Sequence, residues 1–327
     1  MVDLWPILAF KGVKDMDVVT IGESMVLFTP DSIGSLTFAS KFDKTIGGAE
    51  SNVAIALSRL GHQVGWISNL GQDDFGIYIR NTIRGEGVDT SQVKFLDDYS
   101  TAVFFKERKM VGEPKVFYYR KNSAASRLTP MDIDEKYLAR AKYLHITGIT
   151  PALSATCLET IHHSIMLAKK HGLTIIFDPN IRLKLWSKED AISILRNIAS
   201  KCDIVLPGIE EGELLTGEIK PEAIAREFLQ NDTSLVIVKL GKKGAYYATA
   251  GEEGYVEGIQ LEQVVDPIGA GDGFAAGFIS GMISGLTIFE AVQRANKVAS
   301  YALTVPGDAE GYPYIHQIDP NYKEVQR

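Results

Sequence analysis

The sequence predicts an α/β protein of three layers: a Rossmann-like, mostly parallel sheet with helices on both faces, plus a small β-sheet lid. Short β-branched runs alternate with longer segments of helical periodicity, which is typical of a parallel sheet with crossover helices. Two strand-and-turn regions break this alternation. Because a parallel crossover requires a connection such as a helix, these regions are predicted to form a separate sheet.

The elements of the main sheet follow from the spacing of apolar residues. Six apolar runs are predicted as its strands, at 17–21, 64–68, 143–147, 173–177, 203–206 and 235–240. Amphipathic spacing predicts helices near 48–60, 73–85, 153–171, 188–200, 221–230, 271–284 and 287–304. Ligands of such sheets bind at the carboxyl ends of the strands, so functional residues are expected there.

The lid is predicted from two β-rich regions, at about 25–45 and 92–125. The second contains TAVFFKE and KVFYYRK, which are joined by the turn-like VGEP. We expect both regions to project over the strand ends and to cover a bound ligand. The predicted organisation is therefore an N-terminal extension at 1–16, one domain at 17–315 that includes the lid, and a C-terminal tail at 316–327.

Composition argues against several classes of function. The 327 residues carry a formal net charge of −7, whereas a nucleic-acid partner requires a basic face. The apolar run at 4–10 follows Asp3 rather than the basic residues of a signal peptide, and no run approaches the ~20 residues of a membrane span. Cys157 and Cys202 are expected to be buried thiols. We therefore expect a cytoplasmic protein without a membrane partner.

A glycine-rich turn, DPIGAGDG at 266–273, is the first candidate for chemistry. A P-loop and a dinucleotide fingerprint are both missing from the sequence. At Gly269, Ala270 and Gly271, consecutive backbone N–H groups can instead converge at the positive end of the following helix and hold an anion, such as a transferring phosphoryl group. Asp272 would lie at the mouth of this cradle, either as a helix cap or as a base that accepts a hydroxyl proton.

The second motif is GGAESN at 47–52, which precedes a helix with one apolar stripe. Gly47 and Gly48 would let a ligand approach the backbone, and Asn52 would face the same end of the helix. Taken alone, a Gly-Gly pair is also typical of an ordinary tight turn. The motif indicates a ligand site only in combination with the turn at 266–273.

The two motifs together resemble the paired signatures of the ribokinase-like, or PfkB, family of carbohydrate kinases. The resemblance covers about residues 17–305. It implies ATP-dependent phosphorylation of a sugar-like alcohol, with Asp272 as the catalytic base and the amides of 269–271 as an anion hole. ATP and Mg²⁺ are the implied cofactors, and a requirement for a monovalent cation such as K⁺ stays open.

The resemblance also implies a set of nucleotide contacts. KLGKKG at 239–244 is similar to the strand and turn that lie beside the ATP phosphates in the family. The implied ATP-binding residues are Lys239, Gly241, Gly244, Asp266, Gly269, Gly271 and Asn296. On the residues alone, Asn296 is equally an ordinary polar residue on a helix face.

The sequence departs from the family pattern at two positions. Pro267 stands where the family usually has Thr, so a hydroxyl contact is lost. Gly208 replaces the Asn of the family's Asn-x-x-Glu, which helps to organise magnesium and phosphate. Glu211 keeps the acid and is implied as a metal residue that acts through water.

The lid strand KVFYYRK indicates the class of substrate. Strand alternation places Tyr118 and Arg120 on one face, and Arg182 follows a predicted strand in DPNIR. Guanidinium groups bind carboxylates in a bidentate geometry, so two arginines facing a ligand suit a sugar acid. The alternative for Arg120 is a solvated lid arginine in a salt bridge.

Within the family, GESM, TAVFFKE, VFYYRKNSA, HITGI and DPNIR resemble the members that phosphorylate 2-keto-3-deoxygluconate. The implied substrate-binding residues are Gly48, Asn52, Phe104, Tyr118, Arg120, Ile149, Arg182 and Asp272. Phe104 stands where some members have a contacting tyrosine, so one hydroxyl contact is absent.

Two alternatives stay open at the level of sequence. A fructokinase or another neutral-sugar kinase of the same fold would not need the two arginines. A catalytically inactive sugar- or nucleotide-binding regulator belongs to a different class, and a retained Asp272 argues against it. In either case, the exposed β edge and aromatic residues of the lid predict a homo-oligomer formed through the lid.

Overall fold

The structure is a computed structural model that describes residues 14–109, 115–230 and 232–319. Its strands are β1 (Met16–Ile21), β2 (Met25–Pro30), β3 (Phe42–Gly47), β4 (Val64–Gly71), β5 (Val93–Leu96), β6 (Val103–Lys106), β7 (Val116–Tyr119), β8 (Ala141–Thr147), β9 (Thr174–Asp178), β10 (Ile204–Val205), β11 (Leu235–Lys239), β12 (Gly244–Ala248) and β13 (Glu253–Glu257). Its α-helices are α1 (Ala49–Arg59), α2 (Asp74–Gly85), α3 (Glu135–Leu138), α4 (Ala155–Lys170), α5 (Lys188–Ala199), α6 (Ile209–Thr216), α7 (Pro221–Leu229), α8 (Ala270–Ile283), α9 (Ile288–Ala302) and α10 (Ile315–Ile318).

The main sheet is mostly parallel, as the sequence predicts. Within the described residues its order is β13-β12-β11-β10-β9-β8-β1-β4-β5. The strands from β11 to β5 in this order are parallel, and β12 pairs antiparallel with both of its neighbours. The six predicted runs all lie in this sheet, because helices between them provide the crossovers that parallel pairing requires.

Helices cover both faces of the sheet, which confirms the three-layer architecture. Alternate residues of a strand point to opposite faces. Val18 and Ile176 pack with α1, α8 and α9 on one face, whereas Val19 and Ile175 pack with α4, α5 and α7 on the other. Both faces are therefore buried, which explains why the strands are continuous apolar runs rather than alternating ones.

The small sheet has the order β3-β2-β6-β7. β2 and β6 run parallel, and the two outer pairs are antiparallel. The prediction that the whole of 92–125 belongs to the lid is wrong at its start, because β5 pairs parallel with β4 in the main sheet. Helix α2 lies between these two strands and supplies the crossover. The predicted VGEP turn lies outside the described residues.

The domain boundaries differ slightly from the expected ones. Met16 already belongs to β1, so the domain begins before residue 17. At the other end, Ile318 of α10 is buried against α9, so the first residues of the expected tail belong to the domain. Residues 1–13 of the expected extension and residues 320–327 of the expected tail lie outside the described residues. In the part that is described, no helix is long and apolar enough to span a membrane.

Both cysteines are free and buried. Cys157 lies in α4 and Cys202 lies just before β10, on the same face of the sheet. Burial raises the pKa of the Cys157 thiol to about 11 and raises that of Cys202 as well. Both side chains are therefore protonated, packed thiols at neutral pH.

Candidate active site

A cavity of about 390 Å³ lies between the carboxyl ends of the parallel strands and the lid. The N-termini of α1 and α8 open into it, and β6 and β7 cover it from the lid side. Its size falls within the usual range for small-molecule sites, which is about 300–1,000 Å³. The cavity therefore lies where the parallel sheet predicts a ligand site.

The Gly269 turn forms part of the cavity wall at the start of α8. Gly269 has a φ of 78°, and a Cβ there would overlap the carbonyl oxygen of Asp308, so only glycine fits. The Tyr312 hydroxyl donates a hydrogen bond of 2.8 Å to the Gly269 carbonyl oxygen. Ala270 is the first residue of α8, and a Cβ on Gly271 would meet open space. Because the first amides of a helix lack intrahelical acceptors, the open side of this turn can bind an anion.

Asp272 lies in the first turn of α8 and faces the cavity. Asn52 donates from Nδ2 to its Oδ2 atom at 2.8 Å, and Asn180 donates from Nδ2 to its Oδ1 atom at 3.5 Å. The N-cap of α8 is Gly269, and the cap has no side-chain hydrogen bond. The helix-cap interpretation of Asp272 is therefore wrong, and its carboxylate is oriented by two amide side chains.

The environment of Asp272 brings its pKa to about 7. Desolvation is the main cause, and the neighbouring carboxylates of Asp178 and Asp308 also raise the pKa. The hydrogen bond from Asn52 and the charge of Arg182 act in the opposite direction. A carboxylate with a pKa close to neutral pH is well suited to accept a proton in a reaction.

The glycines at the start of α1 allow close approach of other parts of the chain. A Cβ on Gly48 would overlap the carbonyl oxygen of Glu23, and a Cβ on Gly47 would overlap the carboxylate of Asp308. Gly48 also lines the cavity, so its backbone is available to a ligand. The Gly-Gly pair therefore serves local packing and brings the backbone to the site.

Lys239 lines the cavity at the end of β11, where its Nζ donates a hydrogen bond of 2.6 Å to Oδ2 of Asp178. Burial alone would lower the pKa of Lys239, but the carboxylates of Asp178, Glu211 and Asp272 raise it above its usual value. The side chain is therefore a fixed positive charge in the wall of the cavity.

Glu211 also lines the cavity, but its carboxylate is held by the backbone. Its Oε1 atom accepts a hydrogen bond from the Ile181 amide, and its Oε2 atom accepts one from the Gly208 amide, each at 2.8 Å. A carboxylate oxygen has a second lone pair, so Glu211 can still accept a hydrogen bond from a water molecule. These contacts fit a residue that acts on a metal ion through water better than a direct ligand.

The lid contributes two stacked rings and one buried ion pair. Phe104 and Tyr118 are stacked with their ring centroids 5.5 Å apart, and both line the cavity. Arg120 pairs with Glu23 at 2.5 Å, and their side chains are 10% and 1% exposed. Arg120 therefore forms a salt bridge, but the pair is buried rather than solvated, and Arg120 still lines the cavity.

Arg182 differs from Arg120 in its surroundings. It is exposed, lines the cavity and forms no ion pair within the described part of the chain. Its NH1 group donates only to the neighbouring Ile181 carbonyl, at 3.2 Å. Ile149, which is 7% exposed, lies on another wall. Of the two predicted arginines, Arg182 is the one whose guanidinium is available to an incoming anion.

Four of the predicted nucleotide residues lie outside this cavity. Gly241 is exposed in a turn with φ 59°. A Cβ on Gly244 would overlap the carbonyl oxygen of Val256, so packing of β13 explains that glycine. Asn296 donates a hydrogen bond of 3.0 Å to the Glu257 carbonyl oxygen.

Asp266, the fourth of these residues, is buried and pairs with Lys106 of the lid at 2.5 Å. The lysine is also buried, so both members of the ion pair are removed from solvent. This carboxylate therefore connects the start of the glycine-rich turn with the lid.

Five polar residues of the cavity were not predicted as site residues. They are Glu23, Glu50, Asp178, Asn180 and Asp308. Glu23 belongs to GESM, and both Asp178 and Asn180 belong to DPNIR. The sequence therefore indicates that these two segments matter, but it does not indicate which of their residues face the cavity. Glu50 lies within GGAESN, and its Oε1 atom accepts hydrogen bonds from Thr147 at 2.6 Å and Thr150 at 2.8 Å.

Asp308 had no sequence signal, because it follows the last predicted helix in a segment without a recognisable motif. Its carboxylate is buried, and its Oδ1 atom has no hydrogen-bond partner among the described residues. Burial raises the pKa of Asp308 to about 7, with further contributions from Glu310 and Asp266, whereas Lys106 lowers it. An unsatisfied carboxylate oxygen beside a cavity is a candidate acceptor for a ligand hydroxyl.

A three-layer α/β domain with a β lid over a glycine-rich helix N-terminus and an oriented aspartate is typical of one class of phosphotransferase, the ribokinase-like sugar kinases. The chain belongs to the pfkB family of carbohydrate kinases, whose family model matches residues 15–314. The enzyme class expected from the paired glycine motifs is thereby confirmed.

Individual relatives agree with this assignment. The chain is 45% identical to the 2-dehydro-3-deoxygluconokinase of Bacillus subtilis (strain 168) over 300 residues, which cover 91% of this chain and 93% of the relative. The crystal structure of the 2-dehydro-3-deoxygluconokinase of Thermotoga maritima superposes with a TM-score of 0.86 at 27% identity, covering 93% of this chain and 98% of the other. An E. coli protein assigned as a ribokinase II, solved with ATP and Mg²⁺, gives a TM-score of 0.85 at 30% identity, covering 93% and 97%.

Proposed function

We propose that the protein transfers the γ-phosphoryl group of ATP to the C6 hydroxyl of 2-keto-3-deoxy-D-gluconate, which yields the 6-phosphate. The observation that carries this proposal is the position of Asp272, a carboxylate with a pKa of about 7 beside an open helix N-terminus and across from an unpaired arginine. The 45% identity to a 2-dehydro-3-deoxygluconokinase supports the choice of substrate.

Asp272 orients the C6 hydroxyl and accepts its proton as the oxygen attacks the γ-phosphorus. A bond forms between O6 and phosphorus, the bond from phosphorus to the bridging oxygen of ADP breaks, and the proton passes to the carboxylate. Such transition states are loose, so positioning and charge stabilisation contribute more than basicity. Asn52 and Asn180 hold the carboxylate by its two oxygens, which fixes the direction in which it accepts the proton.

Charge on the transferring group is offset by the amides of Gly269, Ala270 and Gly271 at the helix terminus. The ammonium group of Lys239 adds a fixed positive charge in the same wall. Mg²⁺ would supply further neutralisation of the phosphate charge. Glu211 would hold a water bound to the ion.

The nucleotide lies on the side of the Gly269 turn that faces β11 and β13 in this proposal. Gly241 leaves its turn open, since a Cβ there would meet no neighbour. Asn296 fixes the end of β13, Gly244 lets β13 approach, and Asp266 fixes the start of the glycine-rich turn. These three residues support the nucleotide site through the backbone rather than by direct contact.

The carboxylate of the sugar acid binds at Arg182, whose guanidinium forms no ion pair within the described part of the chain and donates only to the Ile181 carbonyl. Phe104 and Tyr118 pack against the carbon chain. Arg120 also lines the cavity and contributes its guanidinium charge to the same site, while the ion pair with Glu23 holds the side chain.

The remaining predicted contacts complete the sugar site. Gly48 and Ile149 line the walls at the start of α1 and beyond the end of β8. The carboxylate of Asp308, which lines the cavity, accepts a hydrogen bond from a substrate hydroxyl. Asn52 is also close to the reacting hydroxyl, because it is bonded to Asp272.

One side-by-side assay tests the substrate. ATP consumption is measured with 2-keto-3-deoxygluconate, its C4 epimer, fructose and ribose, and the keto acid is expected to give the highest kcat/KM. Faster turnover of fructose would instead support a neutral-sugar kinase, which does not need Arg182. Absence of turnover with every sugar acid of a wider panel would support the inactive regulator.

We also propose that two copies associate through the lid. Several large apolar side chains of the lid and its connections are exposed, including Ile33 at 60%, Phe38 at 86% and Tyr119 at 66%. Large apolar side chains exposed on one small sheet and its connections are typical of an interface, and a second copy offers the matching sheet. Light scattering after size-exclusion chromatography is expected to give a dimer or larger assembly that dissociates in Tyr119→Glu; a monomeric wild type would contradict the proposal.

A further inference from the structure

A buried lysine of the lid contacts the turn that precedes α8. Lys106 is the last residue of β6, and it is 7% exposed. Its Nζ atom donates a hydrogen bond of 2.5 Å to Oδ2 of Asp266, which is 8% exposed. A lysine is rarely buried without a partner, so this pair fixes the distance between the lid and the turn.

The same strand also contributes to the substrate cavity. Phe104 precedes Lys106 by two residues, so the two side chains leave β6 on the same face. Phe104 lines the cavity, where it stacks with Tyr118, whereas Lys106 contacts Asp266 behind the cavity. A displacement of β6 therefore changes the sugar-facing surface and the Asp266 contact together.

Asp266 also accepts hydrogen bonds from two segments of the active site. Its Oδ1 atom accepts a hydrogen bond of 3.2 Å from the Ile268 amide, directly before Gly269. Its Oδ2 atom also accepts one of 3.3 Å from the Gly307 amide, directly before Asp308. The Asp266 carboxylate thus holds Ile268, which precedes the anion-binding turn, and Gly307, which precedes Asp308.

We propose that Lys106 is a positioning residue for phosphoryl transfer: the lid cation holds Asp266, and through it the anion-binding turn and Asp308. Without the ammonium group, Asp266 would be a buried, uncompensated anion close to the site of the transferring phosphate. The carboxylate would repel that phosphate, or turn toward solvent and release the Ile268 amide. This inference rests on the proposed role of the Gly269–Gly271 amides.

Lys106→Met removes the charge and keeps most of the side-chain length. We expect kcat to fall by about tenfold or more, since loss of a single anion-hole donor costs about 10²–10³ in kcat and this change only displaces donors. The Kd of the sugar, measured by calorimetry without nucleotide, should rise by a smaller factor than kcat falls, because the displaced anion-binding turn acts only on transfer whereas displacement of Asp308 weakens one sugar contact. Lys106→Arg should keep more activity than Lys106→Met. Lys41→Met, an exposed lysine of the lid, is the matched control and should behave as wild type.

The double variant Lys106→Met/Asp266→Asn separates positioning from folding. It removes both charges and so leaves no unpaired buried anion, and its Tm should recover toward that of wild type. Its kcat should stay low, because the link between the lid and the turn is still missing. Recovery of kcat together with Tm would overturn the proposal and leave the ion pair with a purely structural role.

Amine rescue provides an independent readout. In Lys106→Ala the space of the side chain is free, so ethylammonium at millimolar concentration should raise kcat severalfold while leaving wild type unchanged. An unresponsive Lys106→Ala, or a Lys106→Met variant whose kcat lies within twofold of wild type, would overturn the proposal. Turnover is measured with whichever sugar of the panel the wild type phosphorylates best, so a wrong sugar assignment changes the proposed function without affecting this result.

Discussion

Asn52 donates a hydrogen bond of 2.8 Å from Nδ2 to Oδ2 of Asp272, and so joins the first turn of α1 to the first turn of α8. The two residues are far apart in sequence and come from the two glycine-rich motifs. Their contact explains why these motifs occur together in one chain, because one supplies the carboxylate and the other orients it.

Replacing Asp272 by Asn should abolish most of the phosphoryl transfer. General-base catalysis contributes about 10²–10⁴-fold, and we expect kcat to fall by about that factor while the Kd of the sugar changes little. A coupled ATP assay and calorimetry measure the two quantities. Asp98→Asn, at an exposed position, is the control, and an Asp272→Asn variant with near-normal kcat would exclude Asp272 as the base.

The pH profile should report the ionisation of Asp272. The pKa of Asp272 in the free protein is raised to about 7, and only the ionised form can accept the proton, so kcat/KM should rise with pH through about 7. The hydrogen bond from Asn52 lowers this pKa, so Asn52→Leu should shift the midpoint to higher pH. A profile that is flat between pH 5.5 and 8.5 in wild type would contradict the assignment.

Replacement of Arg182 should weaken binding of a sugar acid. Arg182→Met takes away a hydrogen-bonding partner of the carboxylate, and such bonds contribute about 1.5–3 kcal/mol, so KM for the sugar acid should rise by about 10–150-fold. The KM for fructose should be unaffected, since fructose has no carboxylate. Equal losses with both sugars would show that Arg182 does not recognise the carboxylate.

Arg120→Met should act mainly on stability. It leaves Glu23 buried without its cation, and breaking a buried ion pair costs about 3–5 kcal/mol of the free energy of unfolding. Denaturant unfolding measures this loss, and Glu23→Gln in the same chain should recover part of it. An Arg120→Met protein as stable as wild type would show that the pair is dispensable to the fold.

Asp308→Asn should stabilise the protein more at pH 8 than at pH 5. The pKa of Asp308 is about 7 in the folded state and close to 4 in the unfolded state, so the wild type loses stability as pH rises between these values and carries the full penalty above 7. The amide removes that penalty, and the gain in Tm should be larger by about 2 °C or more at pH 8. Asp97→Asn, at an exposed position, should show no such difference.

Local patterns were sufficient for most of the secondary structure. The helix expected at 271–284 is found at Ala270–Ile283, and the helix expected at 48–60 is found at Ala49–Arg59. Both helices follow a glycine and consist of helix-compatible residues, so the residues next to each other in the sequence are enough to predict them. β5 was assigned to the wrong sheet because a four-residue strand contains no information about its partner, which lies across helix α2.

The site was predictable to the extent that its residues belong to local motifs. One motif contains Asp272 and the Gly269 turn, and the other contains Asn52. All of them line the same cavity. Asp308 was missed because its position at the cavity depends on the path of the chain after α9, which no nearby residue encodes.

The sequence by itself determined the alternation of strands and helices, the family and the segments that bear the chemistry, since each follows from residues close together in the chain. The tertiary structure alone decided that Arg120 is committed to Glu23 while Arg182 is available, and that Lys106 reaches Asp266. The physical reason is that charge pairing and burial are set by distances in space, and these residues meet only after the lid has folded over the ends of the sheet.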